Sequence, residues 1–98
     1  VRLKPEEIAA IKVAAAEVFG AGAVVRLFGS RVRDDLRGGD IDLHIEVDRI
    51  DDEGRQRGAF EDRLFRTLEP QKVDIVLSAR GGTPHGFERI AYRDGIVL

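Results

Sequence analysis

Residues 27–43 read LFGSRVRDDLRGGDIDL, and the fold turns on how this stretch is divided. An apolar run closes on Gly29-Ser30, an arginine-rich segment follows, and Asp40-Ile41-Asp42 opens a new strand. From there the pattern alternates without a break: Ile41, Leu43, Ile45 and Val47 are apolar, while Asp40, Asp42, His44, Glu46 and Asp48 are polar. Strand side chains leave the backbone on opposite faces with a period of two, so Asp40 and Asp42 emerge on one side and the apolar set on the other. Paired carboxylates make a hard-oxygen site suited to Mg²⁺. A Gly-Ser turn at a strand end offers backbone N–H groups to phosphate. Phosphate and metal sites placed together point to nucleotide chemistry.

Outward from this stretch, the rest of the chain reads as alternating helices and strands. Pro5 with Glu6 and Glu7 starts a helix, because proline tolerates the first helical position and acids favour the positive end of the dipole. Ile8, Ile11, Ala15, Val18 and Phe19 recur at helical spacing, and Gly20 and Gly22 close the segment. Val24 to Phe28 is a short buried-type strand. Residues 31–37 are expected to form a short helix or turn, and the strand after it covers Ile41 to Val47. An acidic loop leads to a second helix running to Leu68, with Phe60, Leu64, Phe65 and Leu68 on one face and Pro70 as its stop. Lys72 to Ser78 forms a third strand. A short helix is expected from Pro84 to about Ala91, and Ile96 to Leu98 is a last strand. The order is that of an α/β (α+β) domain: a small mixed sheet of about four strands with helices packed on one face and the acidic face left open.

Asp-x-Asp alone carries little information in a chain this rich in aspartate. Asp74 adds weight, because it interrupts the apolar run Val73-Asp74-Ile75-Val76-Leu77, and burying a lone carboxylate there is costly. If the second and third strands are neighbours, Asp74 faces the same side as Asp40 and Asp42. Charges about 4 Å apart repel by roughly 4 kcal/mol per pair at an effective dielectric near 20. Cations are needed to hold such a cluster together.

Bulk properties narrow the classes. The 98 residues carry a formal charge of −2 and no cysteine, which excludes a disulfide framework and a thiolate metal site. The acidic balance argues against a large nucleic-acid footprint. No apolar run or leader pattern marks a membrane protein, so the expected setting is cytoplasmic and the expected organisation a single domain over residues 1–98. Arg26, Arg31, Arg33 and Arg37 gather around the Gly-Ser turn, and Arg31 and Arg33 have the best claim on phosphate after Ser30. His44 reads as a solvated strand histidine, His85 as a surface helix residue and Tyr92 as a packing residue. Lys72 is balanced between phosphate contact and simple solvation.

Leu27-Phe28-Gly29-Ser30-Arg31, Asp40-Ile41-Asp42-Leu43 and Val73-Asp74-Ile75-Val76, in that order, resemble the nucleotidyltransferase superfamily that includes DNA polymerase beta. The resemblance is closest to its smallest members, the minimal nucleotidyltransferases paired with HEPN-domain proteins. The closing Ile90–Leu98 segment is similar to that family's final helix-turn-strand. The resemblance implies a polymerase-beta-like fold and transfer of a nucleoside monophosphate, AMP from ATP. It implies that Gly29, Ser30, Arg31 and Arg33 hold the triphosphate, while Asp40, Asp42 and Asp74 ligate two Mg²⁺ ions and carry catalysis. It also implies a HEPN partner, with this chain as antitoxin modifying a tyrosine hydroxyl of that partner. The sheet and its helices consume the chain, so the acceptor site is expected to be completed by another protein or a second copy. The Ser30–Asp40 spacer is one residue shorter than the family's pattern, and Asp34 stands where glycine is common. These departures favour an inert module that silences its partner by occlusion; modification of a small molecule of the aminoglycoside type ranks below both.

Overall fold

The computed structural model describes residues 3–29 and 40–98. Helix α1 (Pro5–Phe19) is followed by β1 (Val24–Phe28), β2 (Ile41–Val47), α2 (Glu53–Leu64), β3 (Val73–Ala79), α3 (Phe87–Asp94) and β4 (Ile96–Val97). Pro5 occupies the first turn of α1, and the Glu7 carboxylate accepts the Lys4 N–H at 2.9 Å. Gly20, at φ 98°, ends the helix while its N–H donates to Ala16 O at 2.9 Å; the left-handed conformation there suits a residue without a Cβ. The Asp52 side chain caps α2 by accepting the Arg55 N–H at 3.1 Å.

Several boundaries differ from the sequence reading: β3 is shifted by one residue to Val73–Ala79, α3 runs on to Asp94 and β4 ends at Val97. Helix α2 stops at Leu64, and residues 65–67 continue as turns, with Leu68 N–H donating to Leu64 O at 3.0 Å. Pro70 disfavours helical backbone in the residue before it, so the chain unwinds ahead of the proline. Helix α3 begins at Phe87 rather than Pro84, because Gly86 sits at φ 51° and breaks right-handed geometry at that point. His85 therefore lies before the helix, exposed. The expected helix over residues 31–37 lies outside the described residues.

The four strands form one sheet in the order β3-β2-β1-β4. Strands β1 and β2 are antiparallel, as are β1 and β4, whereas β2 and β3 run parallel. A parallel pair needs a crossover connection, which α2 supplies. Helices α1 and α2 pack on the apolar face. Ile11, Leu27, Leu43, Ile45 and Phe60 are fully buried there, and the Phe19 and Phe60 rings lie 6.2 Å apart. Among the described residues, no helix is long and apolar enough to cross a membrane.

The opposite face is only partly open. Helix α3 lies against β1 and β3 on the polar side, with Ala91 fully buried beneath it. Gly95 lets the chain turn back into β4, since a Cβ there would meet Arg26 Cβ at 3.1 Å. Half of the face expected to be bare is thus roofed, and the half carrying the aspartates remains accessible.

Candidate functional site

The end of the sheet where β1 finishes and β2 and β3 begin collects the acidic residues. Asp42 is in register with Phe28 on one side and Asp74 on the other. Cross-strand partners point to the same face, so Asp42 and Asp74 share the polar side, with Asp40 two residues upstream, just before β2 begins. Gly29 follows Phe28 at φ 77°, and a Cβ at that position would overlap the Asp42 carboxylate, whose Cγ would stand 3.1 Å away. Glycine is required there twice over, by backbone conformation and by the carboxylate packed against it.

These groups line a cleft of about 430 Å³ bounded by Phe28, Gly29, Asp42, Asp74, Val76, Phe87 and Ile90. The Asp42 carboxyl is held above the usual carboxylate range. Burial is the first cause, followed by the charges of Asp74 and Asp40 and a hydrogen bond to Asp74, with Lys72 acting in the opposite sense. Lys72 Nζ lies 3.3 Å from Asp40 Oδ2. Its ammonium is stabilised chiefly by a hydrogen bond to Asp40, then by the charges of Asp40, Asp74 and Asp42. Asp42 therefore feels both other carboxylates, and all three act on one lysine.

The donor set fits a hard divalent cation. Two facing carboxylates supply oxygen ligands, and a cation would offset the burial and the neighbouring acids that hold the Asp42 carboxyl up. The fit is not a pre-formed three-ligand cage. Among the described residues, no group of three or more His, Cys, Asp or Glu side chains is gathered closely enough to hold a metal ion, and Asp40 is turned to Lys72. Of the residues singled out from sequence, the structure brings together Gly29, Asp42 and Asp74, with Asp40 adjacent. Ser30, Arg31 and Arg33 lie outside the described residues, as do Asp34 and the spacer.

His44 departs from its expected role. It is fully buried under α3, with Nε2 2.8 Å from Ser78 Oγ. Ser78 Oγ in turn donates to Glu88 Oε2 at 2.8 Å. The serine proton is committed to Glu88, so His44 Nε2–H donates and Ser78 Oγ accepts. Nδ1 is then buried without a partner among the described residues. Tyr92 packs edge-on against His44 at 4.6 Å between ring centroids, and the Arg26 guanidinium stands 4.8 Å from the Tyr92 ring centre. Tyr92 is a packing residue, as its sequence context suggested. The histidine's burial was not readable locally, because it depends on where α3 lands.

Sequence reasoning also missed the apolar wall of the cleft. Phe87 is 68% exposed and Ile90 40% exposed, yet both face the aspartates. The spacing of Phe87, Ile90 and Ala91 marks an amphipathic helix, but not which side of the sheet that helix covers.

Comparison with known proteins gives one finding. A family model described as "Nucleotidyltransferase domain" matches residues 8–97. A search of curated proteins finds no match.

Proposed function

The chain belongs to the nucleotidyltransferase domain family, and from that premise we propose that it transfers AMP from ATP to a hydroxyl of a partner protein. The observation that carries the proposal is the register of Asp42 with Asp74, set against the Gly29 turn in one accessible cleft. Asp42 and Asp74, with Asp40 once released from Lys72, would hold Mg²⁺. When bound, the metal supplies charge neutralisation of the triphosphate and of the departing pyrophosphate.

The chain's own residues do the positioning. Gly29, lacking a side chain, lets phosphate approach the backbone. The Ser30 hydroxyl and the guanidinium groups of Arg31 and Arg33 are assigned to the β- and γ-phosphates on chemical grounds. Asp74 is exposed and accepts the proton of the attacking hydroxyl. The acceptor oxygen bonds to the α-phosphorus, the bond from that phosphorus to the bridging oxygen breaks, and pyrophosphate leaves. The work is positioning and electrostatics throughout.

Residues 1–98 are taken as one catalytic domain acting in the cytoplasm, with the acceptor site completed by a HEPN-domain partner. On this reading the chain is the antitoxin of the pair and a tyrosine of the partner receives AMP. Incubation of the two proteins with ATP and Mg²⁺ should add the mass of AMP to the partner, and Asp42→Asn should abolish that addition. An unmodified partner, or a fully active Asp42→Asn variant, contradicts the proposal. The Asp40–Lys72 ion pair favours a second reading, an inert module that neutralises its partner by occlusion. Calorimetry separates the two, since the inert module binds Mg-ATP weakly or not at all.

A further inference from the structure

We propose that Phe87 on α3 is the stacking platform for the nucleobase of the nucleoside triphosphate, an inference that rests on the nucleotidyltransferase reading above. The cleft has two chemically distinct halves in contact. One half holds Gly29, Asp42 and Asp74. The other is an apolar wall of Val76, Phe87 and Ile90.

Val76 follows Asp74 by two residues and shares its face of β3. Phe87 and Ile90 are three apart and lie on one side of α3. The sheet thus places the carboxylates directly beside the wall, with Phe28 joining them at the floor. The aromatic ring stands 68% exposed although a fully apolar side chain gains by being covered.

A polar, metal-binding end joined to an apolar planar end matches one molecule that carries both characters, a metal-bound triphosphate linked to a base. The size agrees. About 430 Å³ lies in the range of small-molecule sites, roughly 300–1,000 Å³, and is a concave space rather than the flat patch a protein partner would cover. Stacking on a single aromatic face tolerates every base, so the wall gives affinity and places the α-phosphorus over Asp42 without dictating which nucleotide enters.

The test compares Mg-ATP with magnesium tripolyphosphate, which has the phosphates and no base. Phe87→Ala should weaken Mg-ATP binding about tenfold by calorimetry and leave tripolyphosphate binding unchanged. The chain contains no tryptophan, so Phe87→Trp installs a single reporter. Its fluorescence should be quenched by Mg-ATP and not by tripolyphosphate. Phe87 is exposed, so folding is not at stake in either variant.

Equal Mg-ATP affinity in wild type and Phe87→Ala overturns the inference, as does an unresponsive Phe87→Trp. Unchanged nucleotide binding with a raised KM for the protein acceptor also overturns it and assigns the wall to the acceptor. The platform and the nucleotidyltransferase reading fail differently. Wild-type protein that binds neither Mg-ATP nor tripolyphosphate removes the nucleotidyltransferase reading itself, whereas wild-type binding that Phe87→Ala preserves removes the platform alone.

Discussion

At Gly29 a left-handed backbone and a crowded carboxylate coincide. Gly29→Ala must accept a strained φ, costing about 1–2 kcal/mol, and must also push Asp42 out of the cleft. Urea unfolding should show a loss of at least that size, with activity lost beyond what stability explains. A fully active, equally stable variant would contradict the packing described. Asp42 carries the complementary expectation. Its carboxyl pKa is raised above the usual 3.8, by burial first and the neighbouring acids next. The native state therefore holds this proton more tightly than the unfolded chain does, and stability falls as pH rises from 3.8 through the raised value. Asp42→Asn should make the metal-free protein more stable at neutral pH while removing transfer, a trade of stability for function. Thermal melting without divalent ions checks the sign.

His44 works the other way. Burial, and then the Arg26 charge, hold its pKa below 6.5, against smaller opposing effects of Glu46 and Glu88. The unfolded chain binds the proton more readily, so this contribution to stability is present above pH 6.5 and is lost as pH falls toward the depressed native value. The slope should disappear in His44→Gln when urea midpoints are compared across that window. An unchanged slope would show that His44 is not the group responsible.

Helix α3 is held to the sheet by the His44–Ser78–Glu88 chain and by Tyr92. Ser78→Ala leaves the buried His44 Nε2–H without an acceptor, at a cost of about 1–3 kcal/mol. Amide exchange should accelerate in Phe87–Asp94 first, because this helix is short and its own contacts are few. Uniform acceleration across all elements would argue against a local role. This helix also marks where the sequence stopped being informative. Strands β1 and β2 were legible to the residue, because five and seven residues of buried-type or alternating pattern sit between glycines and charges. The shared face of Asp42 and Asp74 followed from period-two geometry once the strands were taken as neighbours. The roofing of His44 and the Phe87 wall did not follow, since both depend on a tertiary choice that local periodicity does not encode. Lys72 falls between: its position on the acidic side was readable, its pairing with Asp40 was not.

Across the protein as a unit, two helices bury one side of the sheet and a third divides the other into a sealed half and an accessible half. Phe60 of α2, fully buried and packed near Phe19 of α1, anchors the two-helix side, and Phe60→Ala should cost about 3–5 kcal/mol, enough to unfold a domain of this size in mild denaturant. The accessible half concentrates negative charge in a chain already at −2, so divalent cations must accompany a triphosphate into it. Divalent-ion binding should raise the unfolding temperature by mass action.

The decisive measurement is Mn²⁺ binding in the presence of ATP, followed by electron paramagnetic resonance, in wild type and in an Asp42→Asn, Asp74→Asn double variant. Wild-type protein should show bound Mn²⁺ that the double variant loses. Equal binding by the two proteins would mean that these aspartates do not hold the ion, and the nucleotidyl-transfer site would have to lie elsewhere.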